Sequence, residues 1–187
     1  FFPKKRGLAE TDIFPAIELG EIKGLWLVAT NPMTSLPNTA RIRKTLEKLD
    51  FLVVQDSYAD VETVQYAHLY LPAATWAEKE GVFTNTERRV NIVRKATDAP
   101  GESKSDLAIF NALAKRFEQS ANMSFPDKPA DVFEEMKPLS KGRLLDMTGM
   151  NHDLIEEKRG IQWPYTAEEA ERGEEPLKGG KRLYTED

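Results

Sequence analysis

At 187 residues, with 40% hydrophobic and 30% charged content, the chain can bury one good core with room for an appendage. Its 26 basic and 31 acidic residues give a net charge of −5, which argues against nonspecific binding to nucleic acid or anionic membrane. No apolar run approaches the roughly 18 residues of a membrane span, and the lack of cysteine excludes disulfides, thiolate metal sites and cysteine-ligated iron–sulfur clusters within this chain.

Residues 1–9 are basic and read as a frayed end. Over residues 10–19, Ile13, Phe14, Ile17 and Leu19 predict a short helix with Thr11 near its cap, closed by Gly20. Residues 24–29 form a near-continuous apolar run, the pattern of a strand covered on both faces. Thr30-Asn31-Pro32 breaks it, and Ile42, Leu46 and Leu49 predict a helix over 37–49. A second buried strand at 51–54 ends in Gln55-Asp56, a short helix spans 60–68, and a third strand at 69–71 stops at Pro72. Strands alternating with helices build a parallel sheet, and the right-handed crossover rule makes a Rossmann-like arrangement the economical topology. The expected fold class is therefore α/β, a mainly parallel sheet with helices on both faces and an irregular C-terminal extension.

The stretch from Ala73 to Arg89 reads as a polar ligand loop, offering both charge signs, an amide, an exposed-type aromatic (Trp76) and Gly81. Residues 90–93 alternate like an exposed strand. Leu107, Phe110, Leu113, Ala114 and Phe117 predict an amphipathic helix over 105–119, capped by Ser103 or Ser105. Beyond residue 121 prolines punctuate the chain, with helices expected only at 130–136 and 167–173. The expected domain plan is a partial cofactor-binding domain over 1–120 and a Pro/Gly-rich, partly helical extension over 121–187. That extension carries too few apolar anchors for a second core.

Several residues have two readings. Asn31 is either an Asn-Pro turn starter or an amide facing the crevice where α/β folds bind nucleotides. Gln55 and Asp56 end a strand; the Asp56 carboxylate suits ribose hydroxyls or the N1–H and amine of guanine, or else caps a loop. Lys79 is a solvated charge or a cation for phosphate. Asp106 opens a helix, where an acid interacts well with the dipole. Glu87-Arg88-Arg89 could clamp phosphate, but ion pairs that hold the loop are the preferred reading, with Asn85 tying it down. His68 and His152 lie in unrelated contexts and read as structural. No Ser-His-Asp arrangement, phosphate loop or Gly-x-Gly-x-x-Gly motif is present.

Leu71-Pro72, Trp76-Ala77-Glu78-Lys79-Glu80-Gly81 and Thr84-Asn85-Thr86-Glu87-Arg88-Arg89-Val90 resemble the molybdopterin oxidoreductases of the dimethyl-sulfoxide-reductase superfamily, with wording closest to their nitrate reductase branch. The resemblance runs from about Leu8 to Phe117 and resumes at Leu139-Ser140-Lys141-Gly142-Arg143, Asp146-Met147-Thr148-Gly149-Met150 and Gly160-Ile161-Gln162-Trp163-Pro164. Tyr165 then stands where relatives often carry cysteine. The resemblance implies that Asn31, Gln55, Asp56, Lys79 and Asp106 bind molybdopterin guanine dinucleotide, with the Gln55-Asp56 pair toward the guanosine half. It implies no catalytic or metal-ligating residue in this chain. The metal ligand, an iron–sulfur segment and a final cofactor-binding domain would lie in other parts of a longer nitrate reductase, of which this is an inactive piece. The start at Phe1 and an apparent new element at 181–187 fit that view. The alternatives are a formate dehydrogenase of the same superfamily or a non-catalytic nucleotide-binding or assembly module. Partners would be the parent's other domains, nitrate as its substrate and, for the fragment, a second copy. The expected compartment is the cytoplasm, with the periplasm as alternative.

Overall fold

The computed structural model describes residues 5–121 and 125–176. The chain forms two compact units, one of Phe1–Ala73 with Gly101–Lys104, the other of Ala74–Pro100 with Ser105–Asp187. The element suggested at residues 181–187 lies outside the described residues.

In the first unit the apolar runs become β1 (Gly24–Val28), β2 (Phe51–Asp56) and β3 (Leu69–Pro72), a parallel sheet in the order β1-β2-β3. Leu25 pairs with Leu52 and Leu27 with Val54, so alternate side chains share one face. Onto that face pack Phe14 and Ile17 of α1 (Glu10–Glu18), Met33 of α2 (Pro32–Ser35), and Ile42 and Leu46 of α3 (Thr39–Leu46), with Leu49 just beyond. Leu52 and Val54 are essentially inaccessible; each such side chain contributes about 1.5–3 kcal/mol by leaving water.

Local chemistry sets the boundaries. Helix α1 begins after Ala9, not at a Thr11 cap, with Glu10 and Asp12 in its first turn favourable to the dipole. It closes at Gly20, whose φ of 77° belongs to the left-handed region. The predicted helix over 37–49 starts at Thr39 because Asn38, at φ 62°, accepts a hydrogen bond from the Arg41 N–H through its own side chain. The helix expected over 60–68 is a 3-10 turn, Glu62–Tyr66. His68 is structural: its Nδ1 accepts the Leu52 N–H at 3.0 Å.

The second unit corrects the sequence reading. Part of the expected polar loop is β4 (Gly81–Thr84), paired antiparallel with β5 (Arg89–Val93), the strand expected at 90–93, which in turn pairs with β6 (Ile161–Gln162). The unit also contains α4 (Asp106–Ala121), α5 (Pro129–Met136), α6 (His152–Glu157) and α7 (Ala167–Glu171); α5 lies against β4 and α6 against β5. The expectation that the chain beyond 121 lacks anchors for a second core is overturned. Phe133, Met147, Met150, Ile155, Ile161 and Tyr165 form one with Val90. These anchors come one or two per short element, so no local period betrays them; they form a core only once long loops close. Conversely, Phe110, Leu113 and Phe117, on the apolar stripe of α4, remain 40%, 40% and 54% exposed.

Candidate functional site

The parallel sheet ends its strands side by side, Val28 being in register with Gln55 and Gln55 with Leu71. The chain leaves β1 through Ala29, which adopts φ 53° while its N–H donates to the Gln55 carbonyl at 2.9 Å. Two residues later Asn31 spends its whole amide inside the protein. Its Nδ2 donates to Glu62 Oε2 at 2.7 Å and Thr34 Oγ1 at 3.0 Å, and its Oδ1 accepts the Thr63 hydroxyl at 2.6 Å. The Asn31 bond is the main reason the Glu62 carboxyl lies below its ordinary range. Asn31 thus pins the first crossover to the turn before β3. Glu62 and Thr63 escaped the sequence analysis, because their role exists only as partners of an amide about thirty residues away in the chain; Thr34, three residues from Asn31, was missed as well.

Gln55 is fully buried, so the strand end presents its neighbour instead. Asp56 is half-buried. Its Oδ1 accepts the Tyr58 N–H at 3.0 Å, and its carbonyl accepts the Tyr70 hydroxyl and the Ala73 N–H, each at 3.0 Å. Burial, then the negative charges of Asp56 and Asp60, push the Tyr70 hydroxyl above its ordinary pKa, so it remains a donor. Among the described residues Asp56 Oδ2 has no partner, and a carboxylate has acceptor capacity for more than one donor.

In the second unit Lys79 and Asp106 form an ion pair, each about 30% exposed in its side chain. Lys79 ends the 3-10 turn Trp76–Glu78, which Thr75 and Glu78 close as a capping box, the Thr75 N–H donating to Glu78 Oε2 at 2.8 Å. Asp106 stands in the first turn of α4, where Ser105 Oγ accepts the Ala108 N–H at 3.2 Å. The two candidates meet although 27 residues separate them. Glu80 instead pairs with Arg94 at 3.1 Å.

Glu87-Arg88-Arg89 holds the hairpin. Arg88, at φ 67°, closes a turn by donating its N–H to the Asn85 carbonyl at 2.9 Å, and Asn85 Oδ1 accepts the Arg89 N–H at 3.2 Å. Both guanidiniums reach the later segment: Arg88 to the Trp163 carbonyl at 3.2 Å and over its ring at 5.6 Å, Arg89 to the Gly160 carbonyl at 3.1 Å. Gln162 Nε2 donates to the Glu87 carbonyl at 2.8 Å and Trp163 Nε1 to Thr84 Oγ1 at 3.0 Å. Sequence reading noticed the Gly160–Pro164 wording without a role; its role is to lock this hairpin. Tyr165 is core, 6% exposed, its hydroxyl donating to the Glu174 carbonyl at 2.8 Å.

Comparison with known proteins agrees with this architecture. A profile of the molybdopterin oxidoreductase family matches residues 4–116. The chain is 37% identical over 96% of its length to a nitrate reductase of Synechocystis sp., covering 25% of that protein. It is 39% identical over 76% of its length to the alpha subunit of an F420-dependent formate dehydrogenase of Methanocaldococcus jannaschii, covering 20% of it. Acetylene hydratase from Pelobacter acetylenicus has the same fold, with a TM-score of 0.60 at 20% identity over 82% of this chain and 20% of that one. The chain therefore spans about a quarter or less of the curated relatives it matches. It belongs to the molybdopterin oxidoreductase family.

Proposed function

We propose that this chain forms part of the wall of a molybdopterin guanine dinucleotide cleft in a molybdenum-dependent nitrate reductase. The observation that carries the reading is the Asp56 carboxylate. It sits at the carboxyl edge of a parallel sheet, one oxygen accepting the Tyr58 N–H while the Tyr70 hydroxyl anchors the backbone carbonyl of the same residue, and with acceptor capacity to spare. The chemistry of each unit, taken by itself, suits a part of such a group: in the first a carboxylate for the paired N–H groups of guanine, in the second a half-buried Lys79 cation for a phosphate. When bound in the complete enzyme, the molybdenum cofactor supplies the two-electron removal of an oxygen atom from nitrate to give nitrite.

This chain's own residues bind and orient. Asn31 fixes the strand end beside Glu62, and Asp56 follows the buried Gln55 as the last residue of β2. Asp106 holds the Lys79 ammonium in position while compensating its charge. The metal ligand, the iron–sulfur cluster and the substrate funnel belong to other parts of the parent protein, so the isolated chain is expected to be inactive. A formate dehydrogenase is the second reading, favoured by the Methanocaldococcus relative. Among the described residues no helix is long and apolar enough to cross a membrane.

The test is calorimetric titration of the purified chain with GMP, GDP and AMP, beside Asp56→Ala. Saturable binding that prefers guanine, and loses that preference in Asp56→Ala, supports the reading. A wild-type chain that binds no guanine nucleotide refutes a preformed wall.

A further inference from the structure

We infer that Tyr58 is the aromatic platform on which the guanine base stacks, completing with Asp56 a two-sided purine site. This rests on the cofactor-cleft reading above and adds to it the residue that recognises the face of the base. A purine presents an edge of donors and acceptors and a flat π surface, and proteins that hold one tightly use both. Asp56 offers only the edge contact.

Tyr58 is 63% exposed. A lone surface aromatic is ordinary, but this one is built into the site. Its backbone N–H is committed to Asp56 Oδ1 at 3.0 Å, so ring and carboxylate leave the same short turn at the end of β2. That turn is anchored from below, since the Asp56 carbonyl takes the Tyr70 hydroxyl and the Ala73 N–H. The carboxylate and the backbone that carries the aromatic side chain are thus held together in one turn, which lowers the ordering cost of binding.

Among the described residues of this unit, Phe14 belongs to the core and Trp26 lies within β1. Tyr70 is part-buried with its hydroxyl engaged, Tyr66 packs on the core, and Phe51 sits at the opposite end of β2 with its ring 6.0 Å from that of His68. Base–aromatic stacking is worth roughly 5- to 150-fold in affinity.

The experiment titrates GMP and AMP into wild type, Tyr58→Ala, Tyr58→Phe and Asp56→Ala, while NMR follows the ring protons of labelled tyrosine. Tyr58→Ala should weaken GMP binding about 5- to 150-fold, whereas Tyr58→Phe keeps wild-type affinity because the π face survives. In the wild type one tyrosine resonance, missing in Tyr58→Phe, should move upfield as the purine stacks. Unchanged GMP affinity in Tyr58→Ala with lost guanine preference in Asp56→Ala would overturn the platform and leave the cleft reading standing. GMP binding that survives both substitutions would overturn this placement of the guanosine. No GMP binding by the wild type would take down the cleft reading, and the platform with it.

Discussion

Replacing Phe133 with alanine should come close to unfolding the second unit. Phe133 is 2% exposed, and its ring meets that of His152 edge-on, with centroids 5.7 Å apart and planes at 75°. Burying a phenylalanine removes about 150–250 Å² from water, or about 4–6 kcal/mol at about 25 cal/mol/Å². Because denatured chains already bury some of that area, the expected loss is about 3–5 kcal/mol, the range found for core Phe→Ala changes. Trp163 is a suitable reporter: its indole N–H is held by Thr84 and its ring lies under Arg88. In a Trp26→Phe, Trp76→Phe background, urea unfolding followed by Trp163 fluorescence should show the midpoint falling by roughly 2 M. Leu139→Ala, at a side chain 49% exposed, should change stability by no more than about 0.5 kcal/mol. A loss below about 1 kcal/mol for Phe133→Ala would mean that the second core is not organised around this ring.

Two other perturbations probe the local chemistry. The Glu18 carboxyl is held down to about 2 by hydrogen bonds from Arg41 and then Thr45, the Arg41 contact at 2.7 Å being bidentate. Its folded pKa is depressed, so its stabilisation is complete above the unfolded value of about 4.3 and is lost as pH falls from there toward 2. Between pH 6 and pH 2.5 the urea midpoint of Glu18→Gln should therefore fall less than that of wild type, and parallel curves would show that the contact carries no linkage. Gly160 has φ 101°, and a Cβ there would lie 2.4 Å from Asn91 Oδ1 and 2.9 Å from Arg89 Cδ. Gly160→Ala should cost about 1–3 kcal/mol, against no loss for Gly7→Ala, where a Cβ meets open space; equal thermal midpoints for the two variants would refute the close packing.

The parallel sheet was legible because residues 24–28 and 51–54 are apolar almost throughout; β2 is buried over residues 52–55, whereas β1, at the sheet edge, is only partly buried. Helix α4 was legible from its 3.6-residue period, and the family from the wording around Lys79 and Arg89. Cap positions were less so, since Asn38 in a left-handed conformation and Ala9 without a capping side chain follow from packing. Strand β5 was legible from the alternation over residues 90–93, but its partner β4 was hidden: Phe83 and Thr84 face solvent, and the third strand joins from more than seventy residues away. The same distance problem governs the candidate site. Sequence could nominate Asn31, Asp56, Lys79 and Asp106 as residue types suited to a nucleotide. It could not pair Lys79 with Asp106, spend the Asn31 amide on Glu62, bury Gln55 or set Tyr58 beside Asp56. Local composition determines which backbone a segment prefers; which side chains meet depends on loop closures that only the whole fold can stabilise.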